Sequence, residues 1–294
     1  PGFVVMISTG VGRPPQPVAA RQWSAGFLPS RFQGVQLRGK GDPVLFIAGR
    51  GGAGRTWHLH QVPEFQRAGY RVITFDNRGI GATENAEDFD TEPDAAGWII
   101  GADTAELIEK LGAAPARLVG VSMGSFIAQE LMVARPDLVH SAVLMATRGR
   151  HDRARDFFRD AERDLALSGI QLPASFDAKV RMLESFSPKT LDDDQVVRDW
   201  SEMFMMWPTK QTPGLRRQLD IGPDGNRLPA YRSITAPVLV MGFADDVVLP
   251  SHLGREVADA IPNARFLEIP DTGHLGFIEK PQEVNAAILK FFAE

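Results

Sequence analysis

A serine between two glycines, in the run L-V-G-V-S-M-G over Leu118–Gly124, is the strongest chemical signal in this chain. Gly120, Ser122 and Gly124 make the pattern G-x-S-x-G, with an apolar strand-like run before it and a helix-like stretch, Ser125–Ala134, after it. A serine so placed must sit on a sharp, strained turn, and the glycines let the strand and helix backbones approach each other. Its hydroxyl then projects above the sheet edge, next to a helix N-terminus that favours negative charge. The chemistry expected is nucleophilic attack by Ser122. Five residues alone also describe a glycine-rich turn with an incidental serine, so the case depends on partners.

A serine hydroxyl needs a base to take its proton, and the base needs a carboxylate to fix its tautomer. Of the 6 histidines, only His274, in D-T-G-H-L-G, follows the last expected strand. Loops at strand C-termini are where open α/β sheets collect their ligands. The carboxylate is expected after the strand that begins beyond Pro237, giving the chain order Ser…Asp…His. Asp245 and Asp246 both meet that requirement, and periodicity does not separate them.

Positioning these groups requires a sheet. Val44–Ala48 is a continuous apolar run closed by Gly49, as expected of a strand covered on both faces. Val72–Phe75, Leu118–Val121, Ala142–Met145 and Val238–Met241 repeat the signature, and Phe266–Ile269 is a sixth candidate. Helix-like stretches such as Ala102–Leu111 and Phe126–Ala134 lie between them. The fold class predicted is α/β, a mostly parallel sheet with helices on both faces. From Arg148 to Arg232 no convincing strand occurs, and the charged helical segments there read as an inserted lid. The expected organisation is an irregular extension over 1–30, a core over 31–147 and 233–294, and a helical lid over 148–232.

Composition narrows the function. The 294 residues are 44% hydrophobic and 23% charged, ordinary for a globular chain with a sizeable core. A net charge of -5, with basic and acidic residues interleaved as in Arg153–Asp164, argues against a nucleic-acid partner and reads as a solvated helix face. No apolar run is long enough for a membrane span, and no signal-like segment opens the chain, so a cytoplasmic location is expected. With no cysteine, disulfides, thiolate metal sites and a Cys nucleophile are excluded. Gly49–Gly54, G-R-G-G-A-G, matches a dinucleotide fingerprint with Asp76 at ribose-binding distance, which would imply a nucleotide-dependent oxidoreductase. Pro63 interrupts the helix that motif should open, and the reading leaves Ser122 and His274 idle.

Together, Ser122, the Asp pair and His274 resemble the α/β-hydrolase fold family over roughly residues 43 to 292. Asp76–Gly81, D-N-R-G-I-G, and Gly273–His274 ahead of Glu279–Pro281 are similar to further family motifs. The family's H-G after the first buried strand is here Ala48–Gly49, so alanine replaces the histidine. The resemblance implies that Arg50 and Met123 supply the backbone N–H groups of an oxyanion hole. It also implies Asp246 as the acid, nine positions after Pro237 and four before Pro250, although Gly242 stands at a spacing that favours Asp245. A serine rather than an aspartate nucleophile directs the expectation to esterases, lactonases, thioesterases, cofactor-free perhydrolases and C–C bond hydrolases. The expected enzyme cleaves an ester, lactone or thioester of a small to medium apolar substrate with no cofactor and no metal, and an acyl-carrier partner is an allowed donor. Elimination by His274 on a carbon-bound proton, and a non-catalytic ligand-binding role, are the alternatives. In Trp200–Trp207, W-S-E-M-F-M-M-W, the residues Met203, Phe204 and Trp207 are candidates to line an apolar pocket. The plainer alternative is that they pack the lid's own helices together.

Overall fold

A computed structural model describes residues 32, 34–83, 96–223 and 225–294, so the extension expected over 1–30 lies outside the described residues. Strands β1 (Gln36–Arg38), β2 (Pro43–Ile47) and β3 (Arg71–Thr74) precede β4 (Ala116–Val121), β5 (Val139–Met145), β6 (Val238–Phe243) and β7 (Ala264–Ile269). They form one sheet in the order β1-β3-β2-β4-β5-β6-β7. Every pairing is parallel except that of β1 with β3. The six strands expected from the sequence are all present. β1 adds a seventh that composition could not announce, because it is three residues long and half exposed.

Side-chain alternation explains why these runs are strands with two covered faces. On one face Leu45, Ile47, Ile73, Leu118 and Leu144 meet α2 (Ala96–Lys110) and α3 (Met123–Ala134). On the other, Val44, Phe46, Val72, Val119 and Val143 meet α1 (Gln61–Arg67), with the ring of Trp57 5.1 Å from that of Phe46. The two sets interleave residue by residue, so each central strand must be apolar throughout.

Between β5 and β6 the chain forms α4 (Arg153–Ser168), α5 (Ala174–Ser185), α6 (Pro188–Leu191), α7 (Asp194–Met206), α8 (Pro213–Gln218) and α9 (Leu228–Tyr231). Four of the six starts are written in the sequence as caps, since Asp152, Ser187, Asp193 and Thr212 each accept hydrogen bonds from backbone N–H groups of the turn they open. The segment leaves and rejoins the sheet at one place, where Arg227 N–H donates to Gly149 O and His151 N–H to Gly225 O. The last part of the chain adds α10 (Ser251–Ala260), α11 (Gly276–Glu279) and α12 (Pro281–Phe292). Among the described residues, no helix is long and apolar enough to cross a membrane.

The sheet reverses its direction of growth between β2 and β4. A crevice opens at such a point, outside the carboxyl ends of the strands. Gly49 and Arg50 follow β2, and Ser122 follows β4, so both loops lie at the reversal.

Candidate active site

Ser122 has φ 55° and ψ -119°, a left-handed backbone that a non-glycine residue holds only at a cost of about 1–3 kcal/mol. The surroundings leave the chain no other path. Ser122 N–H donates to Met145 O at 2.9 Å, tying the turn to β5. A Cβ on Gly124 would lie 2.1 Å from Ile47 O, and one on Gly120 would lie 2.5 Å from Gly124 O. Only glycine allows α3 to start this close to β2 and β4. Met123 is the first residue of α3, so its N–H is among the helix donors with no intrahelical acceptor.

The loop after β2 lies against the same turn, and a Cβ on Gly49 would be 3.3 Å from the Ser122 Cβ. Two side chains that the sequence did not single out hold this loop. Asn77 Nδ2 donates to Ala48 O at 3.0 Å. Gln218, on α8, accepts from Gly51 N–H at 2.9 Å and donates to Arg78 O at 3.0 Å. Asn77 lies inside the D-N-R-G-I-G motif, so a signal for it existed; Gln218 is 140 positions from Arg78 and had none. Gln218→Ala should therefore lower kcat by about tenfold with little change in KM, because the loop that carries the Arg50 N–H loses its brace. Steady-state kinetics with a chromogenic ester would check this, and an unchanged kcat would show that the loop holds itself.

His274 and Asp246 are brought together. His274 Nδ1 lies 2.8 Å from Asp246 Oδ2, while Asp246 Oδ1 accepts from Val248 N–H and Leu249 N–H, each at 2.8 Å. The Asp246 side chain is fully buried and His274 is largely so. Since an ionised carboxylate can only accept, the tautomer that fits this contact is the one with the ring proton on Nδ1, leaving Nε2 as the acceptor in the neutral ring. Asp245 instead contributes its backbone N–H to Thr272 O at 2.9 Å, so of the two carboxylates it is Asp246 that meets His274.

The histidine loop is also clamped from the far side. Leu275 N–H donates to Ser185 O at 2.9 Å. Glu279 accepts from Gly273 N–H with one oxygen and from the Ser187 N–H and hydroxyl with the other. Glu184, at the end of α5, interacts electrostatically with both His274 and Arg50. Partial burial pushes the Glu184 carboxyl upward, Glu162 adds to this, and Arg50 and His274 oppose it.

Ser122 opens on a pocket of about 140 Å³ that it lines with Arg50, Met123, Phe126, Val248 and Leu249. The lid candidates are elsewhere. Phe204 is buried against Phe186 and Trp200, with ring centroids 6.3 and 5.4 Å away, and Met203 packs on the same cluster. Trp207 is 63% exposed. Met203 and Phe204 pack α7 against α5 while the Trp207 side chain faces solvent, and none of the three lines this pocket.

Arg153–Asp164, expected as a solvated face, has exposed residues such as Arg153, Asp160 and Asp164, but it has a second face as well. Arg155, Phe158, Arg159 and Glu162 line the pocket, at the spacing of one helical face. The competing fingerprint is also resolved. Gly54 opens a short 3-10 turn, and its N–H donates to Asp76 Oδ1 at 2.8 Å while Ala82 N–H donates to Asp76 Oδ2 at 3.0 Å. The carboxylate that would hold a ribose is occupied in bracing two loops.

The fold agrees with what comparison with known proteins shows. Residues 44–287 match the alpha/beta hydrolase family, and the chain belongs to that family. It is 70% identical over 255 residues to the protein named "Putative non-heme bromoperoxidase BpoC" of Mycobacterium tuberculosis H37Rv, covering 87% of this chain and 95% of that one. The crystal structure of that protein superposes with a TM-score of 0.84 at 68% identity, over 88% of this chain and 94% of the other. A hydrolase from Pseudomonas aeruginosa PA01 superposes with a TM-score of 0.74 at 25% identity, over 88% and 94% of the two chains.

Proposed function

We propose that the protein hydrolyses a carboxylic ester, lactone or thioester through an acyl-enzyme on Ser122. The observation that supports this best is the strained Ser122 turn at the pocket, at the same sheet edge as the His274–Asp246 pair. In this reading His274 Nε2 takes the Ser122 proton as the serine oxygen bonds to the carbonyl carbon. The carbonyl electron pair moves to oxygen, where the Arg50 and Met123 N–H groups receive it, each donor contributing about 3 kcal/mol. Collapse breaks the bond to the leaving group, which takes the proton from His274. Water then attacks the acyl carbon, gives a proton to His274, and the released acid leaves Ser122 with its proton restored. Substrate, water and three side chains supply every proton and electron pair, so the sequence of steps needs no cofactor. Asp246 holds the His274 tautomer, and the helices between β5 and β6 form the lid over the pocket.

Intact-mass measurement after treatment with a small fluorophosphonate tests the assignment. One adduct on the wild type and none on Ser122→Ala is the expected result. An adduct that survives the substitution would place the activated serine elsewhere.

The name of the M. tuberculosis relative favours a second reading on the same site. Hydrogen peroxide could clear the acyl-enzyme in place of water, releasing a peracid that oxidises bromide. Bromination of an activated diketone in acetate buffer with added peroxide and bromide should then depend on Ser122. Equal bromination by Ser122→Ala would remove that reading and leave hydrolysis standing.

A further inference from the structure

The pocket that Ser122 lines is also lined by four arginines, Arg50, Arg148, Arg155 and Arg159, and a single acidic residue, Glu162. Arg50 and Glu162 are paired with each other. The remaining three arginines are served from behind by carboxylates outside the lining. Arg155 meets Asp152 at 3.3 Å, and Arg159 meets Asp156 at 3.4 Å and Asp160 at 3.3 Å. Arg148 forms an ion pair with Asp156 at 3.6 Å, longer than a hydrogen bond, with Asp152 as a further counter-charge, and Asp156 is shared with Arg159 and His151.

Two donors on this wall are left over. Arg148 Nη1 and Arg155 Nε are both buried and neither makes a hydrogen bond; the same holds for Asp156 Oδ1, which faces Arg148 Nη1 across the 3.6 Å ion pair. The Arg148 side chain is 13% exposed, and its surroundings favour its charged form less than water does, with burial the largest cause. A guanidinium does not give up its proton at physiological pH, so an under-compensated one remains a cation in need of a counter-charge. Apolar surface from Phe126, Phe158 and Leu219 shares the pocket with these donors. A small cavity with planar, forked donors and apolar walls suits a carboxylate on a short carbon chain.

We propose that the substrate is a small acyl compound bearing a second, free carboxylate, such as a half-ester or a carboxylated lactone, and that Arg148 and Arg155 bind that carboxylate while Ser122 faces the scissile carbonyl. This rests on the acyl-transfer reading for the role of Ser122, but the anion subsite is measurable without turnover. The Ser122→Ala protein is titrated calorimetrically with monomethyl glutarate and with its neutral counterpart dimethyl glutarate. Tighter binding of the half-ester by roughly tenfold or more is expected, as for a charge-assisted hydrogen bond to a buried cation. Introducing Arg148→Gln should bring the ratio close to one, and Arg148→Lys should restore part of it. If Arg148→Gln does not fold, Arg155→Gln supplies the same comparison. Equal affinity for the two esters, or a preference untouched by both substitutions, would overturn the subsite. Inorganic phosphate is added as a competitor: displacement of the half-ester only at molar excess supports a carboxylate site, whereas phosphate binding more tightly than the half-ester would reassign it to phosphorylated substrates. Preferential binding with no fluorophosphonate adduct would keep the subsite and remove the acyl-transfer reading instead.

Discussion

Ser122→Ala should lower ester turnover by on the order of 10^4-fold to 10^6-fold while leaving the fold as it is. The size follows from the loss of the only group that forms a bond to the substrate; what remains is binding and the two backbone donors. The fold should survive because the turn is held by its backbone and its glycines. Ser122 N–H donates to Met145 O, and Ser125 N–H donates to Ser122 O at 3.0 Å, contacts that an alanine keeps. The left-handed φ of 55° is as strained for alanine as for serine, so no large stability change is expected. Turnover of a p-nitrophenyl ester and the thermal midpoint should be measured together. A variant that folds and still turns over at more than a hundredth of the wild-type rate would end the serine-nucleophile assignment.

The second large effect is expected at Asp246. Its two oxygens have different duties, one receiving Val248 N–H and Leu249 N–H and the other receiving the His274 ring. In Asp246→Asn the amide oxygen must stay with the two backbone donors, since an NH2 group there would face them. The NH2 then points at His274 Nδ1 and can only donate, which moves the ring proton to Nε2. A protonated Nε2 cannot accept the Ser122 proton, so kcat should fall by about 10^4-fold. Asp245→Asn is the control, because the ordered role of Asp245 is its backbone N–H to Thr272 O, which the substitution keeps. Equal losses in the two variants would show that the acid is not decided by the hydrogen bond to His274.

These expectations separate residues whose role is local from those whose role depends on distant chain. The serine turn was legible because its cause is local: glycine at 120 and 124 is required where a strand turns into a helix within hard-sphere distance of β2. The covered strands were legible for the same kind of reason, since a run such as Val44–Ile47 has no polar residue to offer solvent on either face. His274 followed from order along the chain, and the choice of Asp246 over Asp245 needed the fold. Two adjacent carboxylates differ in which way the loop turns them, and that direction is fixed by Asp245 N–H bonding to Thr272 O across from β7.

What surrounds the serine was decided by tertiary structure alone. Amphipathic spacing in Arg153–Asp164 shows that a helix has two faces, but not whether the charged one meets water or a pocket. Packing α4 over the sheet edge places Arg155, Arg159 and Glu162 beside Ser122. Likewise, an apolar cluster such as Met203–Phe204 must be buried somewhere, and its partners on α5 claim it before any substrate can. Gln218 is the extreme case, a helix residue that braces a loop 167 positions away through a single hydrogen bond. The sequence by itself determined the strands, the reactive turn and the order of the candidate residues, because local sterics and burial dictate them. The pocket's charge, the Gln218 bond to the loop after β2 and the pairing of Asp246 with His274 came from long-range placement, in which one orientation of a helix or loop exchanges every contact that its side chains make.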